Sequence, residues 1–125
     1  VMNHLTTEEI RALGEALNST WGRSSDNLKI THSLAGDRLD VTMQSIMHFA
    51  GERSLQPQVV NQRLIANDIF TDALKKVKAE FKDATGRALT LKEISRDDDV
   101  ELIQATSNSP RKIAYYRCLL RLEIS

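Results

Sequence analysis

The C-terminal run from Ile113 to Ile124 constrains the fold most strongly, because its polarity alternates over an unusually long stretch. One parity carries Ala114, Tyr116, Cys118, Leu120, Leu122 and Ile124. A period of two residues is that of a β-strand with one face in a core. About twelve residues of strand span about 40 Å, whereas a compact domain of 125 residues is roughly 35 Å across. We therefore expect this strand to cross the whole domain or to project beyond it.

The opposite face of the same strand is also partly apolar. Ile113, Tyr115 and Leu119 alternate there with Arg117 and Arg121. Such a face is too apolar to be left in water without a reason, and a free strand edge offers backbone groups to another chain. The sequence therefore predicts a subunit interface that includes Ile113, Tyr115, Arg117, Leu119 and Arg121.

Two helices are predicted. The first begins with a capping box at Thr6 and Glu9 and ends near Gly22, with one apolar stripe formed by Ile10, Leu13, Leu17 and Trp21. The second follows a polar connection containing Gly51 and Pro57, begins between residues 59 and 61, and runs to about Thr85. Its apolar stripe consists of Ile69, Phe70, Ala73, Leu74, Val77, Phe81 and Ala84. The side expected to face solvent carries Lys75, Lys76, Lys78 and Lys82.

The segment between the helices predicts a β-hairpin. Leu28, Ile30 and Leu34 alternate with polar residues, and a second alternating run from Leu39 to Phe49 follows a Gly/Asp turn. Pairing across that turn places both apolar sets on one face of the sheet.

The last third of the chain predicts two or three strands. Leu89 and Leu91 alternate, but Ile94 has the wrong parity, which indicates a bulge. Thr90 and Glu93 also match a capping box, so a short helical turn is an alternative there. A turn is expected at the segment "SNSPRK", before the long final strand.

These patterns predict a single α+β domain over residues 1–125. Two main helices pack on a mostly antiparallel sheet of four to five strands, in the order α-β-β-α-β-β-β, with a long C-terminal hairpin. Both predicted helices have the same spacing of apolar residues, and a "GR" pair follows each of them, at Gly22 and at Gly86. Duplication of an α-then-hairpin unit explains this echo, and so does convergence on helix-capping chemistry.

Composition disfavours several classes of function. The seventeen basic and seventeen acidic residues balance, so no overall charge attracts nucleic acid or an anionic membrane. No apolar run approaches the roughly 18 residues of a membrane-spanning helix, and the N-terminus lacks the pattern of a secretion signal, so a cytoplasmic location is expected. Cys118 is the only cysteine, which leaves no disulfide within the chain and predicts a buried, inert thiol.

The three consecutive aspartates Asp97, Asp98 and Asp99 are the strongest candidate for chemistry. On a strand, only Asp97, Asp99 and Glu101 share a face, and the positions of an EF-hand glycine and glutamate hold Leu102 and Asn108. Aspartate also favours turns, and a turn is our prediction here. A small metal-dependent enzyme using this acidic stretch is the alternative.

No pair of histidines supports that alternative. His32 shares the parity of the apolar residues of its strand and His48 does not, so the two are expected on opposite faces of the hairpin. We predict no catalytic residue, no metal site and no cofactor. A second alternative is a nucleic-acid-binding accessory protein, in which Arg111, Lys112 and Arg117 contact phosphates and Tyr115 stacks on a base.

The extended hairpins "LKITHSLAGDRLDVTMQ" and "VELIQATSNSPRKIAYYRCLLRLEIS" resemble, in their organisation, small virion proteins of tailed bacteriophages. Connector, terminator, tail and decoration subunits of that kind pair short helices with long interlocking strands. The resemblance covers the whole chain and implies a non-enzymatic assembly subunit of a virion, assembled in the host cytoplasm. Its expected partners are copies of itself or other structural proteins.

Overall fold

A computed structural model describes residues 5–21, 28–50, 52–103 and 112–125. The fold class is α+β, as predicted, with two helices and a four-stranded antiparallel sheet. The predicted order had one strand too many, since two strands follow the second helix. The elements in chain order are α1 (Thr7–Trp21), β1 (Leu28–Ala35), β2 (Arg38–Phe49), α2 (Glu52–Thr85), β3 (Leu91–Ile103) and β4 (Lys112–Ile124).

The predicted capping box starts α1. The Thr6 amide donates to Glu9 Oε1 at 3.0 Å, and the Glu9 amide donates to Thr6 Oγ1 at 3.1 Å. These two bonds satisfy amides that a helix N-terminus leaves without intrahelical acceptors. Leu13 and Leu17 of the predicted stripe are fully buried. The predicted end at Gly22 lies outside the described residues.

The hairpin of β1 and β2 is also confirmed. Leu34 pairs with Leu39 and Ala35 with Arg38, so the turn consists of Gly36 and Asp37. Gly36 has a φ of 62°, in the left-handed region that residues with a Cβ adopt at a cost. The register places the apolar residues of both strands on the same face of the sheet, as the alternation predicts.

The predicted start of α2 is wrong, because the helix begins at Glu52 and contains Pro57. Proline removes one amide donor and normally breaks a helix interior. Two contacts with β2 hold this first part of α2 in place. Gln58 Nε2 donates to the backbone oxygen of His48 at 2.6 Å, and the Ser45 hydroxyl donates to Gln62 Oε1 at 2.8 Å. Tertiary contacts therefore override the local signal of the proline.

The predicted turn at the three aspartates is wrong. They lie within β3, a single strand of 13 residues that runs through the positions where a turn was expected. The predicted bulge is confirmed, because the pairing with β4 shifts register between Glu93 and Ser95, at Ile94. The alternative of a helical turn at Thr90 and Glu93 is excluded, since Glu93 lies in the strand.

The sheet order is β1-β2-β4-β3, so the C-terminal strand β4 is central. Along its whole length it pairs with β2 on one side and β3 on the other. The expectation of a free backbone edge on this strand is therefore wrong, because strand order depends on long-range pairing that the alternation does not encode. The edge strands are β1 and β3.

Both helices pack on one face of the sheet, which we call the inner face. Leu13 and Leu17 of α1 and Phe70, Val77 and Phe81 of α2 form one core with the inner residues of the central strands. The inner residues of those strands are Leu39, Val41, Met43, Met47, Phe49, Ala114, Tyr116, Cys118, Leu120, Leu122 and Ile124. Neither helix in the described part of the chain has the length and apolar character needed to cross a lipid bilayer.

The order of elements divides the chain into two halves, each a helix followed by an antiparallel strand pair. The halves meet between β2 and β4, and each contributes one central and one edge strand. This arrangement agrees with the echo in the sequence, although convergence on the same αββ unit gives the same order. The segment "SNSPRK", predicted as a turn, lies outside the described residues apart from its last residue, which begins β4.

Candidate interaction surface

The face of the sheet opposite the helices is the candidate site, and we call it the outer face. Its residues form levels. Each level is a row of four residues, one from each strand, in which neighbours pair across the sheet. In the order β1, β2, β4, β3, three of these levels are Ser33–Asp40–Arg121–Ser95, Thr31–Thr42–Leu119–Asp97 and Lys29–Gln44–Arg117–Asp99. Within the described part of the chain, neither helix covers this face.

All five predicted interface residues lie on the outer face. Ile113, Tyr115, Arg117 and Leu119 are half-buried, and Arg121 is exposed. The structure adds two apolar neighbours that the sequence did not single out: Ile46 pairs with Tyr115, and Ile103 pairs with Ile113. The two central strands therefore carry apolar residues from both halves of the chain, on both sides of the polar level of Gln44 and Arg117. We call Ile46, Ile113, Tyr115 and Leu119 the apolar centre of the face.

Arg117 occupies the middle of this surface. Its Nε donates to Gln44 Oε1 at 2.9 Å, and its guanidinium forms an ion pair with Glu101 at 2.6 Å. The guanidinium carbon also lies 5.7 Å from the centroid of the Tyr115 ring, within the range of a cation–π contact. Three neighbours thus hold the Arg117 side chain in place on the outer face.

The acidic residues Asp97, Asp99 and Glu101 form a row on the outer face of β3, as expected for a strand. With Thr42, Arg117 and Leu119, the aspartates line a shallow depression. Among the described residues, no group of three histidine, cysteine or carboxylate side chains is arranged to hold a metal ion. His32 and His48 belong to opposite faces, because they pair with Val41 of the inner face and Ile113 of the outer face.

Asp98, by contrast, points to the inner face and joins the sheet to α2. Arg63 Nε donates to Asp98 Oδ2 at 2.6 Å, and the Tyr116 hydroxyl donates to the same oxygen at 2.8 Å. These hydrogen bonds lower the pKa of the Asp98 carboxyl, and the bond from Arg63 has the largest effect. Partial burial of the carboxyl acts in the opposite direction but does not cancel them. The middle aspartate is therefore a structural residue of the α2–sheet contact.

Two neighbouring groups are kept neutral by burial. The Tyr116 side chain is almost completely buried, and this burial, with the carboxylate of Asp98 beside it, raises the pKa of the phenol. Burial likewise raises the pKa of the Cys118 thiol. A thiol whose pKa is raised is a poor nucleophile. The predicted burial of Cys118 is confirmed.

The basic segment proposed for nucleic-acid contact is only partly described. Arg111 lies outside the described residues, and Lys112 is exposed at the start of β4. Arg117 pairs with Glu101 and lies opposite Asp99 across the sheet. These carboxylates offset its charge and disfavour a phosphate at this position.

A separate set of exposed apolar residues was not predicted. Val60 and Leu64 on α2 are 52% and 63% exposed, and Leu102, on the inner side of β3, is 63% exposed. The signal in the sequence is the four-residue spacing of Val60 and Leu64, which lies off the main stripe of the helix. We call these three residues the flank patch.

Comparisons of the chain with protein families, with curated proteins and with solved structures found no match.

Proposed function

We propose that this chain is a non-enzymatic assembly subunit of a larger complex and that it acts through the outer face of its sheet. The observation that carries the proposal is the apolar centre of that face, where Ile46, Tyr115 and Leu119 lie on the two central strands. A sheet with helices on one side normally presents polar residues to water on the other. Apolar residues grouped at the centre of such a face favour contact with another polypeptide.

The dimensions of the outer face support the same function. Four strands spaced by roughly 4.8 Å and about twelve residues long give a face of about 700 Å². Stable protein interfaces of standard size bury about 600–1,000 Å² on each partner. The outer face alone is therefore large enough for a stable interface.

The nature of the complex follows from the resemblance in organisation. Small virion proteins of tailed bacteriophages combine short helices with long strands, and the described strands of 12 and 13 residues have that character. A neck or connector, tail terminator or decoration role in a virion is the form of the proposal that fits this organisation. Copies of the chain itself or other structural proteins would be its partners.

The two alternatives draw less support from the geometry. A nucleic-acid role needs a free Arg117, whose charge is offset by Glu101 and Asp99. A metal-dependent enzyme needs Asp97, Asp99 and Glu101 to converge with a histidine. The three carboxylates share the outer face, but among the described residues no group of three such side chains is arranged to hold a metal ion.

A lysine at position 119 tests the proposal. Leu119→Lys places a charge in the apolar centre of the outer face, so we expect the dissociation constant of the assembly to rise by about tenfold or more. Light scattering coupled to size exclusion, over a range of protein concentrations, measures the assembled mass.

The matched control is Leu64→Lys in the flank patch, which makes the same chemical change at a residue 63% exposed on α2. We expect it to leave assembly unchanged. A wild-type chain that stays monomeric at high concentration contradicts the proposal, and so does a loss of assembly confined to Leu64→Lys.

A further inference from the structure

We infer that the partner of the outer face is a second copy of this chain, stacked face to face about a two-fold axis that runs parallel to the strands between β2 and β4. This inference rests on the proposed function and names its partner. The pairing of residues within the sheet carries it.

A two-fold axis in this direction leaves every residue at its own level. It exchanges the positions of β2 and β4 and those of β1 and β3, because the axis lies at the middle of the order β1-β2-β4-β3. Each outer residue of β2 then faces the residue of β4 with which it pairs in its own sheet. The in-sheet register therefore dictates the contacts between the two copies.

The charges match in this arrangement. Asp40 faces Arg121 of the second copy, and Arg38 faces Glu123, since these residues share levels within the sheet. On the edge strands, Lys29 faces Asp99, because both belong to the level of Gln44 and Arg117. Among the described residues, no two like charges face each other directly.

The uncharged residues of the central strands match as well. Ile46 faces Tyr115 of the second copy, and Thr42 faces Leu119. Between them Gln44 faces Arg117, so the second copy covers the apolar residues of both central strands and brings no like charge onto them.

Packed sheets lie about 10 Å apart and cross at roughly 30°. Such a crossing, with the axis tilted from the strands by half that angle, displaces facing residues by about half their distance from the crossing point. The displacement is about 1 Å on the central strands and about 4 Å on the edge strands at mid-sheet. It is about 6 Å at Asp40 and Arg121, which lie roughly 12 Å along the strands, and this is within the reach of an arginine side chain.

An axis perpendicular to the strands gives a much poorer fit. It stacks β3 on β3, so the acidic row of Asp97, Asp99 and Glu101 faces itself. Like charges placed directly opposite each other at an interface cost several kcal/mol in the general case. Electrostatics therefore select the axis parallel to the strands.

Two polar atoms at the level of Arg121 support the contact. Asp40 Oδ1 and Ser95 Oγ are buried, and neither has a hydrogen-bond partner among the described residues. Both flank Arg121 on the outer face, since they pair with it from β2 and β3. Buried polar atoms are nearly always bonded in native proteins, and rotation of the Asp40 side chain would bring its carboxylate to the guanidinium of Arg121 from a second copy.

Complementary charge reversal tests the arrangement. The contact between positions 40 and 121 occurs twice in the dimer. Asp40→Arg or Arg121→Asp alone places like charges at both occurrences, so we expect each variant to dimerise with a dissociation constant raised by about tenfold or more. In an equimolar mixture, the variant chains face each other with opposite charges at both contacts. We expect the mixture to form the dimer at the same protein concentration as the wild type does. Sedimentation velocity measures the fraction of dimer.

A second pair of variants includes one whose charge reversal adds no like-charge pair to its own sheet. Lys29 lies beside the uncharged Gln44 within its own sheet, so Lys29→Glu creates no like-charge pair there. Its partner, Asp99→Lys, lies beside Arg117, so circular dichroism checks that this variant folds. Lys29→Glu and Asp99→Lys should likewise dimerise poorly alone and well when mixed.

The possible outcomes separate the two proposals. If the wild type assembles and Leu119→Lys disrupts it, but neither mixture regains the dimer, the two-fold arrangement is overturned and the assembly function stands. If the wild type remains monomeric, both are overturned. Recovery in either mixture, with weak assembly of its two components alone, supports both.

Discussion

Asp98 differs from its two neighbours in that it connects the sheet to α2. It accepts hydrogen bonds from Arg63, which is 35 positions away along the chain, and from Tyr116 on the adjacent strand. Asp97 and Asp99 lie on the outer face, opposite Leu119 and Arg117. Three identical adjacent residues thus have two different roles, because successive side chains of a strand point to opposite faces.

Removing the Asp98 carboxylate should destabilise the fold. Asp98→Ala leaves the buried Tyr116 hydroxyl without its acceptor, and we expect the free energy of unfolding to fall by about 1–3 kcal/mol. Urea denaturation measures the change. The control is Asp97→Ala on the outer face of the same strand, expected to change stability by less than about 0.5 kcal/mol. Equal effects of the two substitutions would contradict the role assigned to Asp98.

The pH dependence of that difference has a defined sign. The pKa of the Asp98 carboxyl in the folded protein lies below its ordinary value of 3.8. A lowered pKa means that the ionised carboxylate stabilises the fold above the ordinary value and that this stability is lost as the pH falls through the folded-state pKa. The difference in unfolding free energy between the wild type and Asp98→Ala should therefore shrink at acid pH. A difference that grows on acidification would refute this assignment.

At the scale of elements, local chemistry determines some boundaries and long-range contacts determine others. The start of α1 depends on Thr6 and Glu9, which are three positions apart and bond each other directly. The start of α2 depends instead on hydrogen bonds to β2, from Gln58 to the backbone oxygen of His48 and from the Ser45 hydroxyl to Gln62.

Removing the cap of α1 tests the local contribution. Thr6→Ala deletes the oxygen that accepts from the Glu9 amide, and we expect the free energy of unfolding to fall by about 1 kcal/mol. Thermal or urea denaturation measures it. Thr7→Ala, one position further on at an exposed site inside the helix, is the matched control and should have little effect. A cost equal to that of Thr6→Ala would argue against the capping box.

What could be predicted from the sequence follows the same division. α1, the first hairpin, the bulge at Ile94 and the two faces of β4 all arise from residues close in the chain, and the patterns predict them correctly. The turn at Asp98 was wrong because the partner of that residue, Arg63, comes from a distant helix. The central position of β4 was missed because alternation gives the faces of a strand but not its neighbours in the sheet.

The candidate surface shows the same limit. All of its predicted residues lie on one face because they share a parity on one strand. Ile46 and Ile103 could not be assigned to the surface without the register of three strands. The flank patch of Val60, Leu64 and Leu102 depends on how α2 lies against the sheet, which local spacing does not specify.

At the scale of the whole molecule, the two faces of the sheet have different roles. The inner face is closed by both helices over a core that includes Phe70, Tyr116 and Leu120. The outer face carries its apolar centre on the two middle strands, with the acidic row of β3 at one edge and Lys29 of β1 at the other. In the proposed dimer, this opposition of charge favours the axis parallel to the strands over the axis perpendicular to them.

Hydroxyl-radical footprinting of the wild-type chain, at protein concentrations below and above that of assembly, tests the role of the outer face most directly. We expect oxidation of Tyr115 and Leu119 to fall as the concentration rises, while oxidation of Leu64 and Leu102 stays constant. Protection of Leu64 and Leu102 with unchanged oxidation of Tyr115 and Leu119 would contradict that role.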